Sequence, residues 1–168
     1  MQAVEELGYL NDATLRNLSQ MRQANKKAGN IGDIELVFAE SVLEAWDAKY
    51  GKPYLYDELL EIRDKLLQEN WPVLVNVGFV TDKTPEMRQD VVEKIKEIEA
   101  EFNVKVSIKS FSDWVTFKIQ QLGINKEAVL ARRWLVAYAE SLALHRTSKA
   151  PIDEPTEAWL KSLKRILS

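Results

Sequence analysis

The chain predicts an α/β domain in which a mixed β-sheet is flanked by helices and followed by a helical C-terminal part. Three observations carry that class. Two strand-prone runs, Ile34 to Phe38 and Val42 to Lys49, are split by a polar break at Ala39-Glu40-Ser41, the pattern of a β-hairpin. Val73 to Val80 is nearly continuously apolar, as a central strand is, and Val104 to Lys109 alternates apolar with polar. The stretches between these runs place their apolar residues at helical spacing. The resulting order is helix, strand, strand, helix, strand, helix, strand and then helices.

In chain order, residues 12 to 27 predict a helix with Asp12 as N-cap and Leu15, Leu18 and Met21 at helical spacing, ending near Gly29. The hairpin follows, and Tyr50-Gly51-Lys52-Pro53 turns the chain. Residues 55 to 69 put Leu55, Leu59, Ile62 and Leu66 on one stripe of an amphipathic helix, which Trp71-Pro72 ends. After the central strand, Thr84-Pro85-Glu86 opens a helix to Glu101 with Pro at its first position and Val91, Val92, Ile95 and Ile98 inward. In the 104–109 strand, Lys105, Ser107 and Lys109 share a wet face, whose lysines protect a sheet edge. Ser112 or Asp113 caps a helix from Trp114 to Leu122 that Gly123 stops. Asn125 to His145 is the longest helical stretch, with its aromatic and aliphatic residues in the core. A basic loop follows, and a last helix runs from Asp153-Glu154-Pro155 to Leu167. His145 reads as a surface or capping histidine near a helix C-terminus.

At 168 residues and 46% apolar, the chain suits one domain: residues 1–123 as the core, with the hairpin at 32–52, and residues 124–168 as a helical extension. Acidic residues number 26 against 23 basic, a net charge of −3, so this is no cationic coat for nucleic acid. A local basic surface suffices for a DNA enzyme, because affinity follows the phosphates contacted. The absence of cysteine excludes disulfides, thiolate metal sites and a Cys nucleophile, and a single histidine excludes a multi-histidine zinc site. With no signal-peptide pattern and no run near ~18 apolar residues, the expectation is a cytoplasmic protein of prokaryotic, intracellular type that engages no membrane.

The hairpin carries acidic groups where a buried strand does not want them. Centred on Glu40, it places Asp33 across from Asp47 and Glu35 across from Ala45, with Lys49 on the face of Asp47. Two carboxylates directly opposed repel unless a cation sits between them. Mg²⁺ suits that place, since it takes one or two carboxylates, keeps waters and accepts phosphate oxygens. Metal-assisted phosphodiester hydrolysis is the chemistry this arrangement suggests, with Lys49 orienting water or steadying transition-state charge. Glu35 shares that face and is a candidate extra ligand. Glu44 falls instead on the face of Trp46 and Leu36, which the pattern does not explain. The same stretch also reads as an amphipathic hairpin with a wet polar face.

Asp33, a gap of thirteen residues and then Asp47-Ala48-Lys49 resembles the D…(D/E)-x-K signature of the PD-(D/E)XK nuclease superfamily. The Gly-Asp-Ile-Glu opening, the Asp-Ala-Lys-Tyr-Gly-Lys close and the Leu-rich helix that follows resemble type II restriction endonucleases, and among them the SacI-like ones. The resemblance implies a restriction-endonuclease-like fold and a metal-dependent DNA endonuclease. Asp33 and Asp47 would hold Mg²⁺, or Mn²⁺ as substitute, and Lys49 would position the attacking water. Asp47 stands where Glu is commoner, and the chain is shorter than most such enzymes. Cutting both strands of a symmetric site implies a homodimer on double-stranded DNA. Some nucleases of this class add a carboxylate from the first helix, for which Glu5 and Glu6 are the candidates here.

No acidic residue occurs from Ala13 through Gly32, a stretch that holds Arg16, Arg22, Lys26 and Lys27. Immediately before the carboxylate pair, this block is the best phosphate-contact candidate, with Lys52 a further one. It also reads as a solvated helix face. Two other functions remain open: a structure-selective resolvase or repair nuclease, and a non-catalytic α/β module that binds DNA or protein.

Overall fold

A computed structural model of the chain describes residues 1–16, 30–51, 54–68, 71–145 and 156–167. The chain forms two compact units, one from Asn11 to Gln120 and the other from Met1–Leu10 together with Gln121–Ser168.

The first unit is a five-stranded mixed sheet with helices on its faces. Its strands are β1 (Thr14–Leu15), β2 (Ile34–Phe38), β3 (Ser41–Lys49), β4 (Asn76–Thr81) and β5 (Lys105–Ser110), in the spatial order β1-β2-β3-β4-β5. β1, β2 and β3 pair antiparallel, whereas β3, β4 and β5 run parallel. Taking α1 as Gln2–Glu6 of the second unit, the crossovers are made by α2 (Leu55–Gln68) and α3 (Gln89–Phe102), and α4 (Phe111–Gln121) follows β5. The expected α/β class is therefore the observed one. Thr14–Leu15 is a strand on β2, however, and no helix covers it; residues 17–29 of the expected first helix lie outside the described residues.

The register expected for the hairpin holds through Ile34↔Trp46, Glu35↔Ala45 and Leu36↔Glu44. A bulge between Leu36 and Val37 then shifts the pairing, so Phe38 meets Ser41 and the turn is Ala39-Glu40 alone. Both turn residues are left-handed, with φ of 47° and 66°. A two-residue turn demands this, and Asn-Gly adopts it with least strain. Replacing Ala39→Asn together with Glu40→Gly is expected to stabilise the protein by about 1–2 kcal/mol, read as a higher urea midpoint at unchanged slope. An unmoved midpoint would show that the turn stores no strain.

The α2 stripe buries Leu55, Leu59, Ile62 and Leu66 as its spacing predicts. They pack with Ala45, Val77, Phe79 and Val106 of the sheet and with Val91 and Ile98 of α3. β4 is buried along its whole length, as expected for a central strand. It starts at Asn76 rather than Val73 because Leu74 N–H turns back to the Trp71 carbonyl, 3.3 Å away, and ladder bonding begins only at Val75. Gly78 lies against the neighbouring strand so closely that a Cβ would come within 1.9 Å of the Ser107 carbonyl oxygen, and only glycine fits there. α3 starts at Gln89 rather than at Thr84-Pro85, and the side chain of Asp90 accepts Val91 N–H in its first turn.

The opposite face of the sheet is covered by α4, which overturns the wet face expected of β5 at Ser107 and Lys109, while Lys105 is exposed on the edge strand as expected. Ser107 is buried, and the Lys109 ammonium lies over the Phe117 ring at 4.8 Å. Trp46 meets Trp114 edge-on at 6.0 Å between centroids and Phe117 at 6.1 Å. The cap of α4 is Ser110, two residues before the expected Ser112: its hydroxyl accepts Asp113 N–H and donates to the Asp113 carboxylate at 2.6 Å.

Glu44, which breaks the hairpin's pattern, finds its reason under α4. Its carboxylate pairs with the Lys118 ammonium and accepts from Asn76 Nδ2 at 3.1 Å; the Glu44 and Lys118 side chains are 3% and 4% exposed. Burial pulls the Lys118 ammonium below the usual lysine range, and the Glu44 charge opposes that pull.

The second unit consists of α1, α5 (Glu127–His145) and α6 (Thr156–Leu167). Arg133 of α5 pairs with Glu6 and reaches Glu140, which also binds Lys164 of α6 at 2.8 Å. The expectation that the aromatic and aliphatic residues of α5 are all core fails in part. Trp134 and Tyr138 stack on one another at 6.0 Å and stay about half exposed, as does Val129. A helix apolar on more than one side cannot bury every side against two neighbours. Residues 151–155, the expected start of the last helix, lie outside the described residues. Among the described residues, no helix is long and apolar enough to cross a membrane.

Candidate active site

Asp33 stands one residue before β2, opposite the end of β3, because the chain reaches the sheet through a tight approach at Gly32. A Cβ on Gly32 would come within 2.7 Å of the Trp46 carbonyl oxygen, so glycine is required there. Glu35 holds this approach in place: one oxygen accepts the N–H groups of Ile31 and Gly32 at 2.6 and 3.3 Å, and the other takes Arg16 at 2.7 Å. Lys65 of α2 adds a hydrogen bond to the Ile31 carbonyl at 3.0 Å. Asp33 itself accepts Ala48 N–H at 3.0 Å.

From this position, one step beyond the Ile34↔Trp46 pair, Asp33 stands opposite Asp47. Partial burial, and after it the neighbouring Asp47, raises Asp33 above the usual carboxylate range; the Ala48 N–H and the Lys49 charge pull the other way. Asp47 is 8% exposed. On the same side of β3, the Lys49 ammonium binds Asp47 at 2.7 Å and Glu58 of α2 at 2.6 Å, and lies 5.8 Å from the centre of the Phe79 ring. Burial is the largest influence on Lys49 and lowers it, but the two carboxylates outweigh that and hold the ammonium above its ordinary value.

Asp33, Asp47 and Lys49 thus come together as the hairpin register requires. Scans against protein-family models and against curated proteins find no match for this chain.

Glu35, the candidate extra ligand, has both its oxygens engaged by Arg16 and the 31–32 backbone and is fully buried, which makes it a positioning group. Arg16, expected to touch phosphate, is committed to Glu35 for the same reason. Arg22, Lys26, Lys27 and Lys52 lie outside the described residues. Glu6 is taken by Arg133. The group that sequence reasoning missed is Glu58. Its signal was faint: three residues after Leu55, it borders the apolar stripe of α2, and only packing of that stripe on β3 turns it toward Lys49.

Among the described residues, no cluster of three or more His, Asp, Glu or Cys groups could hold a metal. The donor set at the hairpin is two facing carboxylates, one of them held toward its protonated form by partial burial and then by the other. That set fits a hard, largely hydrated cation such as Mg²⁺, which needs few protein ligands, and does not fit a four-ligand zinc site.

Proposed function

We propose that this chain is a divalent-metal-dependent DNA endonuclease of the restriction type, related to the PD-(D/E)XK nucleases and acting on double-stranded DNA as a homodimer. One observation carries the proposal: at the mouth of the hairpin the strand register sets Asp33 opposite Asp47, and the Lys49 ammonium binds Asp47 on the same side. The mixed sheet, with the antiparallel hairpin running into parallel strands, supports it.

Asp33 and Asp47 would hold the cation, whose charge would relieve their mutual repulsion. When bound there, Mg²⁺ supplies positive charge to phosphate oxygens and acidifies water. Lys49 stays protonated, donates hydrogen bonds to an incoming water or a non-bridging oxygen, and steadies the negative charge carried by the phosphoryl oxygens of the transition state. Glu58 keeps that ammonium charged and aimed.

The test is cleavage of supercoiled and linear DNA by the purified chain with Mg²⁺, Mn²⁺ or EDTA. Discrete, metal-dependent fragments are expected. A preference for branched over linear DNA would move the reading to a resolvase. Thermal unfolding gives a readout without DNA: at a Mg²⁺ concentration about a hundredfold above its Kd, linkage stabilises by about 2.7 kcal/mol, raising Tm by roughly 5–10 °C. Neither cleavage nor a Tm response would leave a non-catalytic module.

Replacing Glu58→Gln is expected to slow cleavage about 10- to 100-fold, the usual cost of an orienting partner. The alkaline limb of the pH profile should move down, because the ammonium loses one of two anionic neighbours. The exposed Glu61→Gln, one residue beyond Leu60, should change neither. An unshifted limb would assign Glu58 a packing role alone.

A further inference from the structure

A cavity of about 370 Å³ opens beside the carboxylate site. It lies at the carboxyl ends of the parallel strands, a place where α/β sheets bind ligands. Thr81 at the end of β4 is on its wall, and Thr81 is the ladder partner of Lys49. The first turn of α2 is shared in the same way: Asp57 lines the cavity while the adjacent Glu58 holds Lys49. The floor is apolar, from Leu55 and Val91, and Tyr54 stands at the rim with its ring 81% exposed.

The chemistry of the walls selects among ligands. The cations on the walls are Lys83 and Arg88, the latter already paired with Asp90, so a phosphate would meet Lys83 together with the carboxylates of Asp57 and Glu86. An apolar floor, acceptor carboxylates and an unpacked aromatic rim suit instead a flat, neutral ring that carries N–H donors on its edge. Nucleobases have that form: each has a face to stack, and their amino and imino groups donate to carboxylates. The volume falls in the range of small-molecule sites.

We propose that this cavity takes one unpaired nucleobase next to the phosphodiester held at Asp33 and Asp47, with the base stacked on Tyr54. The proposal rests on the nuclease reading and narrows its substrate to DNA that offers an unpaired or turned-out nucleotide near the cut. Such a nucleotide costs less to present when it is already unpaired, so the protein selects it.

The test is binding, measured in EDTA so that nothing is cut. The probes are a fluorescently labelled duplex with a single unpaired nucleotide and the same duplex fully paired, read by anisotropy. Wild-type protein is expected to prefer the first by about 5- to 100-fold, the worth of one stacked base. Tyr54→Ala should remove most of that preference and Tyr54→Phe should keep it. Equal Kd values for the two duplexes, or a Tyr54→Phe protein no better than Tyr54→Ala, overturn the proposal. Metal-dependent cleavage without the preference would refute the cavity's role and leave the nuclease; the preference without cleavage would do the reverse.

Discussion

The Asp47→Ala protein is expected to lose metal-dependent DNA cleavage by well over about a hundredfold, since loss of a mere orienting partner already costs 10- to 100-fold. Asp47 is the residue on which the site converges: it faces Asp33, and it binds Lys49 at 2.7 Å. Its removal would take one of two carboxylates from the proposed cation site and one of two anionic partners from Lys49. The isosteric Asp47→Asn separates these losses from packing. It keeps the shape of the side chain, removes the like charge that Asp33 meets and leaves Lys49 with Glu58 as its anionic partner.

The pH dependence supplies the sign. Asp33 is raised in the folded protein, so between its ordinary value and its raised one the native state holds more protons than the unfolded chain. Metal-free stability therefore falls as pH rises through that window. Mg²⁺ should reverse the fall, and Asp47→Asn should lessen it, since the burial of Asp33 remains. Cleavage that survives in Asp47→Ala, or a metal-free stability that ignores Asp47→Asn, would remove the carboxylate pair from the mechanism.

The second large effect lies on the other face of the sheet. Lys118→Met is expected to cost about 3–5 kcal/mol of stability, the penalty for leaving one member of a buried ion pair alone. Glu44 would then sit under α4 with Asn76 Nδ2 and without its cation. The double substitution Glu44→Leu, Lys118→Met should recover part of that loss, because apolar groups of similar size replace the ion pair while the buried Asn76 Nδ2 loses its acceptor. Urea unfolding of the two single variants and the double variant closes the cycle. A single-variant cost below about 1 kcal/mol would put the pair in the class of surface bridges.

Both variants concern the same strand, which shows how much a period of two reveals. Asp47 and Lys49 are legible together because they share a parity on β3. The facing of Asp33 and Asp47 agrees with a hairpin centred on Glu40, but the two-residue turn alone would offset the pair by one, and the bulge between Leu36 and Val37 restores it. The α2 stripe is legible for the same kind of reason, as each of its four leucine and isoleucine positions repeats at helical spacing and each is buried. Glu44 shares a face with Trp46, and nothing local says that a lysine 74 residues away waits above it.

The amino-acid sequence by itself therefore determined the α/β class, the hairpin with its carboxylates and lysine, and the packing stripe of α2, since each depends on residues a few positions apart. Tertiary structure alone decided the rest. It brought Glu58 to Lys49, Arg16 to Glu35 and Lys118 to Glu44, and it made Thr14–Leu15 a strand. It also covered the supposedly wet face of β5 with α4. The physical reason is common to all of these: whether a charged side chain meets water, a partner or a buried opposite charge depends on which element packs over it. Periodicity specifies the face a residue occupies, and the neighbour on that face is set by the fold.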